Sequence, residues 1–165
     1  MKNGLIVYHS YGGNTQLLAE LIEEKLKLKG YNIRIISTKE MNRKKLYEEL
    51  YNYDFLLLGS NTWGDGELPS AMVKVLNNIQ EDCNEGRLDN VITAVFGTGE
   101  TGYRYYCNSV NIMRDFLKDR SELSVTIKVE QLYSIADISR VEKFVNLIEN
   151  RINLLSASLD NKLII

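Results

Sequence analysis

Residues 10–15 read SYGGNT, a run that sets a hydroxyl, two glycines, an amide and a second hydroxyl between an apolar segment and an amphipathic one. Successive backbone N–H groups at the start of a helix form an anion site, and Ser10, Asn14 and Thr15 can add side-chain donors. The segment holds no Lys or Arg and does not fit GxxxxGK[ST], so a phosphate here must be held by neutral donors. The same residues also suit a tight turn with Asn14 or Thr15 as helix cap. This loop by itself leaves both readings open.

Two further segments narrow the choice. Residues 60–69, SNTWGDGELP, contain the only tryptophan and the only proline of the chain. A tryptophan in so polar and glycine-rich a loop either caps the core or stacks on a ligand. Residues 97–103, GTGETGY, end in Tyr103 at the exit of another loop. Trp63 and Tyr103 then flank a gap that suits a flat ring, each stacking partner adding roughly 0.5–1.5 kcal/mol beyond area burial. A ligand with a phosphate at one end and a planar ring at the other is a mononucleotide, and its tricyclic candidate is FMN. GTGETG also matches GxGxxG, but it comes too late in the chain. Glu122, the acidic residue that could follow it, precedes the next strand instead of ending it, so a nicotinamide site is rejected.

The remaining reactive residues carry less. Tyr105 and Tyr106 are expected to pack a helix, His9 to pack or bond beneath the first loop, and Cys107 to pack inside a helix. Cys83 lies in polar QEDCNEG with no clear purpose, and the terminal DNKLII is expected to dock or fray. Asp65, Glu67 and Glu100 place negative charge around the ring site, Glu67 being equally readable as solvated.

These loops need a scaffold. Short β-rich runs are expected at 5–8, 33–37, 55–59, 91–97 and 124–129, several continuously apolar as for parallel strands covered on both faces. Helical spacing predicts helices over 15–28, 69–79, 103–118 and 138–152, with a short charged surface helix over 41–51. Alternation of this kind gives an α/β, three-layer, doubly wound five-stranded parallel sheet. If the strand order is 2-1-3-4-5, the three loops converge on one crevice beyond the carboxyl ends of the strands. The 165 residues fit a single domain, 1–165. A formal charge of −2 argues against nucleic acid. The absence of an apolar run near ~20 residues or of a secretory signal argues against a membrane. Two isolated cysteines suggest reduced thiols and a cytoplasmic location.

The chain resembles short-chain flavodoxins from IVYHSYGGNT to about residue 155. SYGGNT is similar to the family's S-x-[ST]-G-N-T, TWGDGELP matches its ring-covering loop, and FGTGETGYRYYCNSV is similar to FGxGDxxYxxFCxAV. The resemblance implies strand order 2-1-3-4-5 and one non-covalently bound FMN. It implies a monomeric low-potential one-electron carrier, shuttling between semiquinone and hydroquinone, and not an enzyme with its own substrate. It places Ser10, Gly13, Asn14 and Thr15 around the phosphate, with Tyr11 and Gly12 adding backbone donors, and Trp63 and Tyr103 on the two faces of the ring. Backbone groups of Thr62, Gly64, Gly99 and Glu100 would meet the ring edge, with Asp65, Gly97 and Cys107 completing the cofactor site. The Gly64–Asp65 peptide is the one the family turns on reduction. Implied donors are an NADPH-dependent ferredoxin/flavodoxin reductase or a 2-oxoacid oxidoreductase, and the acceptors are redox enzymes. Gly12 replaces the usual Ser or Thr, Glu100 a common Asp, and no long-chain insertion interrupts the last strand. Alternatives on the same resemblance are the flavodoxin-like activator of manganese ribonucleotide reductase and a flavin quinone reductase. A non-redox alternative is an interaction module that has lost its flavin.

Overall fold

The computed structural model describes residues 1–41, 52–83, 88, 91–130 and 134–162, the side chains of 82–83 and 159–162 excepted. Its elements run β1 (Asn3–His9), α1 (Asn14–Leu28), β2 (Asn32–Ser37), β3 (Phe55–Asn61), α2 (Ser70–Cys83), β4 (Ile92–Gly99), α3 (Asn108–Leu117), β5 (Glu122–Glu130) and α4 (Ile135–Lys162). The five strands form one parallel sheet in the order β2-β1-β3-β4-β5. That is the expected doubly wound, three-layer architecture.

Continuous apolar strands serve two cores because successive side chains point to opposite faces. In β1, Ile6 and Tyr8 join the layer under α1 and α4, while Leu5 and Val7 join the layer under α2 and α3. β3 divides in the same way, Phe55 and Leu57 against Leu56 and Leu58. On the first face Leu18, Ile22 and Leu26 of α1 meet Val141, Val145 and Ile148 of α4, each fully buried aliphatic side chain contributing about 1.5–3 kcal/mol. Exposed pairs Lys25–Glu142, at 3.0 Å, and Lys29–Glu149 tie the two helices at the surface.

Two helix boundaries depart well from expectation, and a third expected helix is not described. The helix expected over 103–118 begins only at Asn108. Residues 101–107 are turns and bends, and Cys107 adopts a left-handed φ of 49° and ψ of 37° that no preceding helical residue could share. Tyr105 and Tyr106 therefore stand in a loop and not on a helix. The last helix, expected to end at 152, runs to Lys162 because no Gly or Pro interrupts INLLSASLDNK. The expected surface helix over 41–51 lies, Met41 apart, outside the described residues, as do Leu163–Ile165 and the side chain of Cys83.

β5 is one uninterrupted strand, as the missing insertion required. Its pairing with β4 slips once, Thr93 facing Leu123 and Ala94 facing Val125. The extra residue, Ser124, donates its hydroxyl to the Thr93 carbonyl at 2.8 Å. Among the described residues no helix is long and apolar enough to cross a membrane.

Candidate functional site

Because β1, β3 and β4 lie side by side and parallel, the segments leaving them emerge at the same edge. They wall one crevice of about 350 Å³, within the roughly 300–1,000 Å³ of small-ligand sites. The first loop contributes Ser10, Tyr11, Gly12, Asn14 and Thr15; the second Thr62, Trp63, Gly64 and Asp65; the third Gly99, Glu100, Tyr103 and Cys107. Thirteen of the fifteen expected residues are thus brought together on the wall, Gly13 and Gly97 not being among them.

The first loop ends in a helix without a side-chain cap. Gly13, at φ 94°, is the N-cap of α1, and no side chain bonds the first-turn N–H groups. Asn14 and Thr15 therefore start the helix and do not cap it. The first N–H groups of a helix have no partner inside it, so here they need an acceptor from outside. The Gly13 N–H donates to Ser10 Oγ at 3.1 Å, which leaves the Ser10 hydroxyl hydrogen free to point elsewhere. Ser10 and Thr15 are both buried, and Thr15 Oγ1 shares a hydrogen bond of 2.7 Å with Thr98 Oγ1 at the end of β4. Such a set of neutral donors at a positive helix end suits a phosphate.

The second loop closes on itself. Trp63 N–H donates to the Glu67 carbonyl at 2.9 Å, and Glu67 N–H returns to the Trp63 carbonyl at 2.7 Å. Gly64 and Gly66, at φ 48° and 104°, make the turn between them. The loop is then fastened to α3: Asn108 Nδ2 donates to the Gly66 carbonyl at 2.8 Å. Thr62 Oγ1 accepts the Ser109 N–H at 3.2 Å, capping α3 from a distant segment. Trp63 remains 48% exposed and Tyr103 63% exposed. Neither ring is buried in a core, and both border the crevice.

The third loop packs close to α3. A Cβ on Gly99 would stand 2.9 Å from the Cys107 nitrogen, and one on Gly97 would stand 2.6 Å from both the Ser60 carbonyl and Val110 Cγ2. Gly97 therefore serves the β3–α3 approach and not the crevice surface. Burial pushes the Cys107 thiol up to about 11, and its Sγ donates to the carbonyls of Gly97 and Val129 at 3.8 and 3.7 Å. It is a neutral packing group. Burial, with the Cys107 sulfur beside it, raises the Tyr106 hydroxyl to about 12. His9 bonds Thr38 Oγ1 through Nδ1 at 2.7 Å, and burial followed by nearby Lys39 lowers its pKa. The bond is to the turn that follows β2 and not to the first loop.

Sequence reasoning overlooked Asn61, Thr98, Arg104, Tyr105 and Tyr106 on the wall. Asn61 and Thr98 stand at the carboxyl ends of β3 and β4, where a parallel sheet delivers polar side chains to a ligand, but a single polar residue there has no periodicity by which sequence could single it out. Arg104 lies over the Tyr105 ring, 5.2 Å from its centroid, and among the described residues is the only cation on the wall, which also carries two acids, Asp65 and Glu100.

The family model described as Flavodoxin matches residues 6–150. The chain belongs to the flavodoxin family. Flavodoxins bind FMN and carry electrons, and the crevice fits that cofactor: uncapped N–H groups and buried hydroxyls for its phosphate, Trp63 and Tyr103 for its ring. A Bacillus subtilis (strain 168) protein named "Probable flavodoxin 2" is 30% identical over 120 residues, 73% of this chain and 75% of that protein. The crystal structure of oxidised Flavodoxin 2 from Bacillus cereus superposes with a TM-score of 0.77 at 30% identity, covering 90% of this chain and 99% of that one. The chain is also 30% identical over 104 residues to a sulfite reductase [NADPH] flavoprotein alpha-component of Shewanella sp. (strain ANA-3), covering only 16% of that protein. The flavodoxin reading is favoured over the ribonucleotide reductase activator and the quinone reductase.

Proposed function

We propose that this flavodoxin is a single FMN-binding domain, residues 1–165, that passes single electrons between larger redox enzymes and turns over no substrate of its own. One observation carries the reading: the uncapped start of α1 opens onto the same crevice as Trp63 and Tyr103. Bound FMN supplies the redox centre, taking up and giving back electrons one at a time.

The chain's own residues bind and orient that group. Ser10, Asn14 and Thr15, with the backbone of Tyr11, Gly12 and Gly13, hold the phosphate. Trp63 and Tyr103 cover the ring and exclude water from it. Backbone groups of Thr62, Gly64, Asp65, Gly99 and Glu100 meet its edge, while Gly97 and Cys107 hold the third loop in place. Asp65 and Glu100 oppose additional negative charge. Two like charges ~10 Å apart cost about 1.7 kcal/mol at an effective dielectric of about 20, and solvent reduces that further. The exposed Trp63 and Tyr103 leave the ring edge open to a docking enzyme. A nicotinamide-dependent flavodoxin reductase or a 2-oxoacid oxidoreductase fits as donor, with redox enzymes as acceptors. A monomer working in the cytoplasm fits a protein without membrane or nucleic-acid partners.

Calorimetric titration of the flavin-free protein with FMN and with riboflavin tests the assignment. One FMN per chain is expected, with riboflavin bound at least ten times more weakly for want of a phosphate. Equal affinities, or no binding of either, would refute it.

A further inference from the structure

The backbone of Trp63 is fixed by its exchange of hydrogen bonds with Glu67, but those bonds do not orient the indole. Among the described residues the one ring in contact with it is Tyr11, from the first loop. The ring centroids are 4.9 Å apart with planes inclined at 63°, an edge-to-face pair. Tyr11 is itself placed by a second contact between the same loops, its N–H donating to Asn61 Oδ1 at 3.3 Å. Asn61 precedes Trp63 by two positions, so backbone and ring of Tyr11 hold neighbouring points of one loop. Tyr11 is 71% exposed, which excludes core packing as the reason for so large a side chain. A bulky residue is spent at a position in the phosphate loop whose backbone alone could serve an anion.

We propose that Tyr11 is a positioning residue that holds the Trp63 indole in the orientation from which it covers the FMN ring. This rests on the FMN reading of the crevice. The contact makes the first loop serve the ring as well as the phosphate. It also narrows the rotamers open to a half-exposed tryptophan, which lowers the entropy to be lost on stacking.

The chain contains a single tryptophan, so its fluorescence reports Trp63 alone. Time-resolved anisotropy of the full-length, flavin-free chain is expected to show added fast indole motion in Tyr11→Ala and none in Tyr11→Phe, whose ring makes the same contact. In FMN titrations Tyr11→Ala is expected to raise Kd about 2- to 10-fold, the range for one aromatic pair. Tyr11→Phe is expected to restore it, and Tyr11→Ala is expected to add nothing in a Trp63→Ala background. The proposal is overturned by anisotropy unchanged in Tyr11→Ala, by an FMN affinity that is unchanged or tighter, or by a loss equally large without Trp63. If no variant and not the parent binds FMN, the functional reading has failed, and the anisotropy still decides whether Tyr11 orients Trp63.

Discussion

Gly66 is the position where a single methyl group should do most harm to the site and least to the sheet. Its φ of +104° lies where a residue with Cβ is strained, and left-handed backbone costs roughly 1–2 kcal/mol. An added Cβ would stand 2.7 Å from Tyr105 Cβ and 2.9 Å from Cγ, and overpacking of that kind costs about 1–3 kcal/mol. Together Gly66→Ala carries a strain of about 2–5 kcal/mol. The surroundings decide where it is relieved. On one side Leu68 and Met72 are anchored in the core, and on the other β3 is paired on both edges. The segment between them is held by hydrogen bonds: Gly66 N–H to the Trp63 carbonyl at 3.1 Å, and Asn108 to the Gly66 carbonyl at 2.8 Å. The loop should therefore shift, and Trp63 with it. The expected result is a small fall in the melting midpoint of the flavin-free protein and a change in Trp63 emission. The FMN dissociation constant should rise at least tenfold, the equivalent of about 1.4 kcal/mol. Gly12→Ala is the control, because nothing lies within 4 Å of the added Cβ and no positive φ must be kept. Fluorescence and FMN titration read both variants. A Gly66→Ala protein with parental emission and parental FMN affinity would refute the reasoning.

Gly12→Ser adds a hydroxyl in open space on the phosphate loop. Calorimetry should show FMN bound about 2- to 10-fold more tightly, the worth of one hydrogen bond, with riboflavin unchanged. Arg104→Ala removes a cation from the crevice wall. Spectroelectrochemistry should find the midpoint potential of bound FMN lowered by tens of millivolts, less at high salt because the side chain is exposed. The Cys107 thiol ionises near 9 when unfolded and near 11 in the fold. Its contribution to stability is therefore whole below pH 9 and lost as pH rises toward about 11. Melting midpoints across that window should fall less steeply in Cys107→Ala than in the parent.

The legible parts of this molecule were those where pattern and function coincide. Runs such as LIVY and FLLLG read as doubly covered strands because parallel sheets need apolar residues on both faces, and all five strands stand where expected. The loops after β1, β3 and β4 were legible because they put hydroxyls, glycines and a lone tryptophan where a core would not. What escaped was geometry with no periodicity. YRYYC looked helical, and only the left-handed Cys107 shows why the helix waits until Asn108. Asn61 and Thr98 passed unnoticed because one polar residue at a strand end carries no pattern. The Tyr11–Trp63 contact joins residues far apart in the chain, and no local signal announces it.

The crevice owes its shape to strand register more than to any loop. Asn61 pairs with Thr98 across β3 and β4. In β4, Ala94 and Phe96 face the α1 layer, so alternation sends Thr98 to that face, where its hydroxyl meets Thr15 at the start of α1. Val95 faces the α3 layer, and alternation turns Gly97 that way, leaving room for Val110 and the Ser60 carbonyl. A slip of one residue would exchange the two: a threonine would press on α3, and the phosphate loop would lose its buried partner. The first two loops are also fastened from outside themselves, the first to the end of β3 through Tyr11 and Asn61, the second to the start of α3 through Thr62 and Ser109 and through Gly66 and Asn108. Neutral donors and half-exposed rings bind well only if they are already in place, since each is individually weak. The apolar sheet supplies that placement, and the cofactor site is the continuation of its register into polar residues.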